Sequence, residues 1–497
     1  MVEYTVSKLL RIAAATAPNR IAATLDEEAV TFRDCDRKAA RLAHALTNWG
    51  VRRQHRVVYW ADISLRTIDL YFALSHVGAI FVPVNPALSL PELHAVIDYL
   101  EPHFIVAGAG HAAAAESVAR RAGVPLGVLG GGRSCPSHDL DDAASRASDG
   151  AAPDCASSAD IQVMFLTSGS TGRPKAVRIS QKAQWMRCAS SPSYTEVGGG
   201  RGTANMFPLF HMAGWHMTVQ SVARRRAVHL VQRASSEALW QVIEAHQPQE
   251  LYAIPAVWRR LLDGGAGRDG RCLVHAFTGT SRVEPELVDA ILQRFQGART
   301  GVYYGSTELG NAIGIGHDDL LDHPYSVGIP LPGVEARIED GELLLRSETM
   351  MDGYHALPEE TAAALQGGWY HTGDLAEVSP DGFFEIVGRR REIIRSGGES
   401  IAPAEVEAAL RTLPDVADVA VVGLPHEGWG EVVCAVFVMQ AGKETPSIEA
   451  LRGALADRLA SFKHPRIVRA ASGPLPRTLA TGQIQRSQIR QALIAQG

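Results

Sequence analysis

The 497-residue sequence lacks several features that mark specialised classes of protein. No apolar run approaches the roughly 18 residues that a membrane-spanning helix needs. Positive charge is not in excess, because 48 Lys and Arg stand against 54 Asp and Glu, a net charge of −6. This balance argues against a nucleic-acid binder, whose affinity comes largely from cationic contacts to phosphates. Charged residues at Glu3, Lys8 and Arg11 interrupt the stretch that a signal peptide would need to keep apolar, so no targeting segment is expected.

Cysteine and lysine are both scarce. The six cysteines have no CxxC spacing, which argues against a zinc site or a disulfide framework and favours a reducing, cytoplasmic location. They are Cys35, Cys135, Cys155, Cys188, Cys272 and Cys434. Only six lysines accompany forty-two arginines, so a lysine kept at a motif position is unlikely to be incidental. Apolar residues make up 46% and charged residues 21%, which is typical of a soluble globular protein.

Alternating patterns in the first 130 residues predict helices and strands in turn. Helical spacing over 32–50 ends at Gly50, and a buried strand is expected at 56–61. A helix at 64–78 and a strand at 79–85 follow. Such alternation predicts a mainly parallel sheet covered by helices. The small, polar residues 141–160 are interpreted as a surface connection that leads into a buried strand at 161–166.

The pattern changes after about residue 334. Two Asp-Gly pairs, at 340–341 and 381–382, lie between apolar runs and predict antiparallel hairpins. Mixed helix and strand patterns resume after about residue 391. We therefore predict an α/β protein with two domains: a large N-terminal domain of mixed sheets with flanking helices at 1–390, and a small α+β domain at 391–497.

The strongest chemical signal is the segment MFLTSGSTGRPKAV, in which a buried strand leads into a glycine-rich loop that ends at Lys175. Glycines let backbone amides turn towards an anion, and hydroxyls and a lysine add donors. The composition suits a phosphate-binding loop, although the Walker spacing is absent. By composition alone, a plain Ser/Thr/Gly linker is an equally good interpretation.

Five segments, in order along nearly the whole chain, resemble motifs of the adenylate-forming superfamily, which includes acyl-CoA synthetases, luciferases and the adenylation domains of peptide synthetases. They are TSGSTGRPKAV, PLFHMAGW from Pro208, YYGSTE from Tyr303, WYHTGD from Trp369, and GRRREIIRSGGESIAPAEVE from Gly388. The resemblance implies a large N-terminal domain and a small, mobile C-terminal lid that rotates about Arg391 between two half-reactions. It also implies ATP, Mg²⁺ and coenzyme A.

The resemblance assigns roles to individual residues. Glu308 would bind Mg²⁺, Thr307 would contact the α-phosphate, and Lys175 would donate to the phosphates. The residues expected to hold ATP and coenzyme A are Thr167, Ser168, Gly169, Ser170, Thr171, Gly172, Gly279, Thr280, Ser281, Tyr303, Tyr304, Gly305, Ser306, Asp374, Ile386, Arg389, Gly397 and Gly398. Within this set Tyr304 stacks on adenine, Asp374 accepts the ribose hydroxyls, and the two glycines after Ser396 let pantetheine pass. Isolated from the motif, Glu308 would be interpreted as a helix-start carboxylate.

The acid pocket is expected to lie around His211, which borders the carboxylate and later shapes the thiol route. Its other walls would be Gly214, Trp215, Ile313, Ile315 and Gly316. A bulky indole at Trp215 favours a medium-chain or aromatic acid. Amino acids are disfavoured, because no acidic residue lies where related domains hold an amino group. A histidine alone is more often structural than catalytic.

One position departs from the family pattern. The lid normally carries a lysine that reaches the carboxylate and the α-phosphate, and here the matching residue is Gln483. A neutral amide cannot neutralise developing phosphate charge, and loss of one such donor costs about 10²–10³ in rate. A neighbouring cation such as Lys463, Arg477 or Arg486 could substitute, the first half-reaction could be slow, or the acid could be unusual.

Three functions stay open. The first is an acyl- or aryl-CoA synthetase. The second keeps the nucleotide site but passes the acyl group to an amine or a carrier protein, or activates nitrite for diazotisation of an aromatic amine. The third is a nucleotide-binding homologue without catalysis. No carrier-protein module is expected after residue 497, and the oligomeric state is left open, with a homodimer as one option.

Overall fold

The computed structural model describes residues 3–131, 138–148, 150–167, 174–189, 200–390, 392–396, 399–456, 458–478 and 482–495. The chain divides into two compact units. The first consists of residues 1–324, 330–335 and 346–370, and the second of 325–329, 336–345 and 371–497. A large sheet-containing unit and a smaller C-terminal one confirm the predicted fold class. Residue 391 lies outside the described residues, so the domain boundary there stays a prediction.

The helices are numbered in chain order. They are α1 Val6–Thr16, α2 Phe32–Trp49, α3 Leu65–Val77, α4 Leu90–Leu100, α5 Ala112–Ala122, α6 Leu140–Arg146, α7 Gln181–Ala189, α8 Met212–Ala223, α9 Ser236–His246, α10 Pro255–Asp263, α11 Pro285–Arg294, α12 His317–Asp322, α13 Pro358–Ala364, α14 Pro403–Arg411, α15 Ile448–Leu455 and α16 Arg486–Ala495.

The strands follow the same convention. They are β1 Ile21–Leu25, β2 Glu28–Thr31, β3 Arg56–Trp60, β4 Ile80–Val84, β5 Phe104–Gly108, β6 Leu126–Leu129, β7 His138–Asp139, β8 Ile161–Thr167, β9 Lys175–Ser180, β10 Thr203–Asn205, β11 Val228–Leu230, β12 Glu250–Tyr252, β13 His275–Gly279, β14 Arg299–Ser306, β15 Gly310–Ile315, β16 Ile329–Pro330, β17 Val334–Glu339, β18 Glu342–Ser347, β19 Tyr370–Val378, β20 Phe384–Arg389, β21 Ile394–Ser396, β22 Glu399–Ile401, β23 Val416–His426, β24 Gly430–Met439 and β25 Ile467–Ala470.

Two large sheets organise the first unit. One has the strand order β7-β6-β5-β3-β4-β8-β9, and only β9 is antiparallel to its neighbour. The other has the order β16-β15-β14-β13-β12-β10-β11-β1-β2, with a parallel centre. Every residue of β4 is buried, as expected of a strand covered on both faces. The predicted parallel, covered sheet is confirmed.

Helix α2 shows how local sequence sets its ends. The Thr31 hydroxyl accepts a hydrogen bond from the Asp34 backbone amide at 3.2 Å, which caps the amino end. Gly50 follows the last turn with φ +107°, a left-handed conformation that glycine adopts without strain. The predicted helix over 32–50 is therefore confirmed at both ends.

The interpretation of 141–160 as a surface connection is wrong for its first six residues, because α6 continues to Arg146. The Asp139 carboxylate accepts hydrogen bonds from the backbone amides of Asp141 and Asp142, both at 3.0 Å. This cap starts a helix on a stretch whose small, polar composition resembles a loop. Leu140 and Ala144 are the residues that α6 buries.

Hairpins and a second core make up the smaller unit. The four-stranded sheet β17-β18-β19-β20 has most of its residues there, and its turns include the two predicted Asp-Gly pairs. A second sheet, in which β23 and β24 pair along their full length, packs against α14 and α15 around Val406, Leu410 and Leu451. Among the described residues no helix is long and apolar enough to cross a bilayer.

A buried histidine in α3 gives the fold a predictable sensitivity to acid. His76 is fully buried, burial lowers its pKa to about 4, and neither ring nitrogen has a hydrogen-bond partner among the described residues. The unfolded chain takes up a proton below about pH 6.5, whereas the folded chain does so only near pH 4, so stability falls across this window as pH falls.

We expect His76→Gln to be less sensitive to acid than the wild type. Between about pH 7.5 and 5, the wild-type free energy of unfolding should drop about 2 kcal/mol further than that of the variant. Urea unfolding at the two pH values measures the difference. Equal drops in the two proteins would contradict the assignment of this acid sensitivity to His76.

Candidate active site

The predicted phosphate loop connects two antiparallel strands. Thr167, the last residue of β8, pairs with Lys175, the first residue of β9, and the Thr167 hydroxyl donates to the Lys175 carbonyl at 3.2 Å. The connecting residues Ser168, Gly169, Ser170, Thr171 and Gly172 lie outside the described residues. The two ends of the loop are thus held together by strand pairing.

A second hairpin carries Thr307 and Glu308. Strand β14 pairs with β15, Ser306 lies opposite Gly310, and residues 307–309 form the turn between them. The Glu308 carboxylate accepts a hydrogen bond from the Tyr354 hydroxyl at 3.0 Å. The Lys175 Nζ atom lies 4.9 Å from the centre of the same tyrosine ring, within the range of a cation–π contact. The structure therefore brings Lys175 and Glu308 to one tyrosine.

A buried arginine contacts the backbone of the turn that carries Glu308. Arg187 in α7 donates from Nη2 to the Glu308 carbonyl at 3.1 Å and from Nε to the Thr349 carbonyl at 2.9 Å. The Met351 amide also donates to the Glu308 carbonyl, at 2.7 Å. Burial lowers the pKa of Arg187 to about 10, with the nearby carboxylates opposing the shift, so its side chain is charged at neutral pH. These bonds fix the backbone that presents the Glu308 carboxylate.

The approach of the two strands at Gly305 requires glycine. A Cβ atom added at Gly305 would lie 2.2 Å from the Gly310 carbonyl oxygen, which is too close for any side chain. At the exposed Gly473, by contrast, an added Cβ would meet nothing within 4 Å, and φ is not in the left-handed region.

We expect Gly305→Ala to open the hairpin that holds Thr307 and Glu308. Such overpacking costs about 1–3 kcal/mol, and misplacement of the turn should lower acid-dependent pyrophosphate release at least about tenfold. Gly473→Ala is the matched control and should leave both stability and rate unchanged. A Gly305→Ala enzyme with wild-type turnover would contradict this account of the turn.

The predicted adenine-binding residues lie at the ends of neighbouring parallel strands. Gly279, the last residue of β13, pairs with Tyr303 in β14, and an added Cβ there would lie 2.2 Å from the Tyr303 carbonyl oxygen. Thr280 follows with a left-handed φ of +68°, and Ser281 is exposed. Ligands commonly bind at such carboxyl ends of parallel strands. Tyr303 is buried, whereas Tyr304 is half-buried, so Tyr304 is the more accessible ring.

The predicted acid-pocket residues gather around the start of α8. His211 is the N-cap residue, and burial lowers its pKa to about 4, so its ring is neutral at pH 7. Gly214 allows α8 to approach the preceding loop, because an added Cβ would lie 2.5 Å from the Pro208 carbonyl oxygen. Trp215 is fully buried and stacks on Tyr71 with ring centres 3.8 Å apart. Its place in an acid pocket stays a prediction.

The remaining pocket residues lie on and after β15. Ile313 and Ile315 are buried, and Gly316 is exposed. The same strand carries Asn311, which forms a polar pair that the sequence did not single out. Asn311 Nδ2 is 3.5 Å from His216 Nε2, and burial lowers the pKa of His216 to about 3.

Within the second unit, the predicted ribose residues pair across a hairpin. Asp374 in β19 lies opposite Arg389 in β20, and Arg389 Nε is 2.8 Å from Asp374 Oδ1. Asp374 is buried, so the arginine also supplies the charge that a buried carboxylate needs. Ile386 lies on the same strand as Arg389 and is half-buried. Arg391, Gly397 and Gly398 lie outside the described residues.

Gln483 lies in a small loop of the second unit. Its backbone amide donates to the Thr478 hydroxyl at 3.1 Å, and its carbonyl accepts from the Thr478 amide at 2.9 Å. The three cations considered as substitutes are all in ion pairs. Arg477 pairs with Asp418 at 2.6 Å, Arg486 pairs with Glu392 at 2.6 Å and with Glu407 at 2.8 Å, and Lys463 pairs with Glu405. Each cation already has an acidic partner, so none is an uncommitted replacement.

The described residues contain no group of three or more His, Cys, Asp and Glu side chains arranged to hold a metal ion. A single carboxylate on an accessible turn is nevertheless what Mg²⁺ requires when it arrives with a nucleotide. Mg²⁺ is usually held by one or two carboxylates together with substrate phosphates and water. Glu308 therefore fits the role of its protein ligand.

Sequence reasoning missed Tyr354 and Arg187, which contact Glu308 directly, and Asn311, whose side chain lies near His216. No local signal marks Tyr354 or Arg187, because tertiary pairing alone brings each of them to Glu308. Asn311 could have been found, since it lies three residues after Glu308 on the outgoing strand of a predicted motif.

Comparison with known proteins agrees with this architecture. The AMP-binding enzyme family model matches residues 10–355, and the AMP-binding enzyme C-terminal domain model matches residues 405–480. Feruloyl-CoA synthase of Amycolatopsis sp is 30% identical over 491 residues, covering 95% of this chain and 96% of that protein.

Two solved structures illustrate the shared fold. ATP-bound MatB from Rhodopseudomonas palustris has a TM-score of 0.88 at 24% identity, covering 98% of each chain. The amide bond synthetase McbA from Marinactinospora thermotolerans has a TM-score of 0.87 at 27% identity, covering 98% of this chain and 99% of that one.

Proposed function

Since the chain belongs to the AMP-binding enzyme family and is an AMP-forming ligase of the acyl-CoA synthetase type, we propose that it activates an aromatic or medium-chain carboxylic acid with ATP and passes the acyl group to coenzyme A. The acid oxyanion attacks the α-phosphorus and pyrophosphate leaves. The thiol of coenzyme A then attacks the acyl carbon, and AMP leaves. The first step turns a poor leaving group into a good one.

The observation that carries the proposal is the meeting of Lys175 and Glu308 at Tyr354. In-line attack on a phosphate needs positioning and charge neutralisation. Lys175 follows the phosphate loop, and Glu308 stands beside Thr307, whose hydroxyl would contact the α-phosphate. Glu308 would hold Mg²⁺, which when bound supplies positive charge to the phosphate oxygens. Glu308 lies 46 residues before Tyr354 and Lys175 lies much further away in sequence, yet both side chains contact this tyrosine.

The other site residues have proposed roles that match their chemistry. Tyr304 offers an accessible ring for adenine, and Asp374 offers a carboxylate to the ribose hydroxyls, with Arg389 and Ile386 beside it along the hairpin. His211 is neutral at pH 7, so we assign it to orienting the acid and the incoming thiol rather than to neutralising charge.

An amine acceptor is the second candidate. Gln483 shows that the site departs from the family pattern, and the similarity to an amide bond synthetase at 27% identity favours an amine as the acceptor. In this version the acyl-adenylate forms as before, and an amine nitrogen displaces AMP.

The test is mass spectrometry of products formed from ATP, Mg²⁺ and a mixture of aromatic and medium-chain acids. One arm contains coenzyme A, a second contains amines, and a third contains neither. Acyl-CoA in the first arm supports the proposal. Amides in the second arm, without any thioester in the first, would replace it with the amine acceptor. If no AMP forms in any arm, both the coenzyme A proposal and the amine-acceptor alternative are rejected.

A further inference from the structure

The segment that carries Tyr354 is fixed to the strand that follows the phosphate loop. Backbone hydrogen bonds join Arg178 to Gly353 at 2.9 Å and His355 to Ala176, also at 2.9 Å, so residues 353–355 run antiparallel to β9. The Tyr354 amide also donates to the Thr361 hydroxyl at 2.9 Å. The tyrosine backbone is therefore held on both sides, and the residue as a whole is 8% exposed.

One side chain contacts two opposite charges. The Tyr354 hydroxyl donates to Glu308 Oε1 at 3.0 Å, and the ring face lies 4.9 Å from Lys175 Nζ. Within the described part of the chain, no ion pair of 4 Å or less joins Lys175 to Glu308 directly. A direct pair would neutralise the two groups that have to face the phosphates and the metal.

We propose that Tyr354 is a positioning residue that keeps the Lys175 ammonium and the Glu308 carboxylate apart and oriented, so that both charges are available when nucleotide and metal arrive. This inference rests on the proposed nucleotide site, and it is independent of which acid or acceptor the enzyme uses. The hydroxyl orients one oxygen of the carboxylate and leaves the other to the metal. The ring gives the ammonium a contact that does not cancel its charge.

Two substitutions distinguish the role of the Tyr354 hydroxyl from the role of its ring. Tyr354→Phe keeps the ring next to Lys175 and removes the hydroxyl that donates to Glu308. A hydrogen bond to a charged group is one of the stronger kinds, so we expect the affinity for the metal to fall about tenfold while nucleotide binding without metal is retained. Tyr354→Ala removes both contacts and should weaken both kinds of binding.

The matched control is Tyr99→Phe. The Tyr99 hydroxyl donates to the His355 carbonyl at 2.8 Å and accepts from the Ala176 amide at 3.2 Å, so it ties down the same segment without contacting either charge. Loss of segment rigidity alone would weaken binding in Tyr99→Phe as much as in Tyr354→Phe.

The experiment is a titration of the full-length protein with Mn²⁺, followed by its electron paramagnetic resonance signal, in the presence of a non-hydrolysable ATP analogue. Calorimetry with the analogue and a chelator measures nucleotide binding alone. An approximately tenfold loss of Mn²⁺ affinity in Tyr354→Phe, with nucleotide binding unchanged and Tyr99→Phe like the wild type, supports the proposal. Wild-type Mn²⁺ affinity in Tyr354→Phe, or an equal loss in Tyr99→Phe, overturns it. Failure of the wild-type protein to bind the analogue would instead overturn the proposed function.

Discussion

Gln483→Lys is expected to accelerate acid-dependent pyrophosphate release by about 10²–10³-fold. The resemblance to adenylate-forming enzymes implies that a lysine at this position reaches the carboxylate and the α-phosphate during the first half-reaction. The amide in its place carries no charge. Arg477, Arg486 and Lys463 are each paired with a carboxylate, so none of them supplies the missing charge without breaking an ion pair.

Single-turnover measurement of pyrophosphate release isolates this step from acyl transfer. Gln488→Lys adds the same charge to an exposed position of α16 and should leave the rate at the wild-type value. A Gln483→Lys enzyme that is no faster than Gln488→Lys would show that charge at position 483 does not limit adenylation. It would favour an acid, or a donor of charge, different from the family pattern.

Glu308→Gln is expected to lower pyrophosphate release by about 10³-fold. An amide of the same shape keeps an oxygen that can accept from the Tyr354 hydroxyl, but it loses the negative charge that binds Mg²⁺. A bound metal ion contributes several kcal/mol to stabilising charge in the transition state, and each 1.4 kcal/mol is worth about a factor of ten. The melting temperature should change little, because the Glu308 backbone contacts to Arg187 and Met351 remain.

Rates measured over a range of Mg²⁺ concentrations test this expectation. Glu348→Gln is the control, because Glu348 is exposed and pairs with Lys182 away from the turn. Recovery of the Glu308→Gln rate at high Mg²⁺ would indicate weakened binding, with the chemistry intact. A wild-type rate at every concentration would remove Glu308 from the metal site.

Local signals made much of the fold predictable. Thr31 and Gly50 mark the ends of α2 because capping depends on residues at the helix ends themselves. The Asp-Gly pairs at 340–341 and 381–382 mark hairpins because tight turns need the conformations that these residues adopt readily. The prediction of a surface connection at 141–146 was wrong because the Asp139 cap stabilises a helix there despite the loop-like composition.

The candidate site was predictable only where its residues share a motif. Thr307 and Glu308 are adjacent, and Lys175 ends a recognisable loop. Tyr354 is 46 residues from Glu308 and meets it only because the 353–355 segment pairs with β9. Arg187 is one of forty-two arginines and carries no mark in the sequence of its role as a buried donor. Its importance becomes visible once burial is known, since a buried charge has to be satisfied.

The burial of Arg187 also limits which substitutions the protein can accept during evolution. Its guanidinium joins α7 to the backbone at Glu308 and at Thr349, three segments that lie far apart along the chain. A neutral replacement would remove the Arg187 donor from the Thr349 carbonyl and one of the two donors from the Glu308 carbonyl. A change in the backbone at either carbonyl would leave the buried arginine without an acceptor. We therefore expect substitutions at position 187 to be accompanied by substitutions at residues 349–351 among homologues, while residues on the exposed face of α7 vary independently.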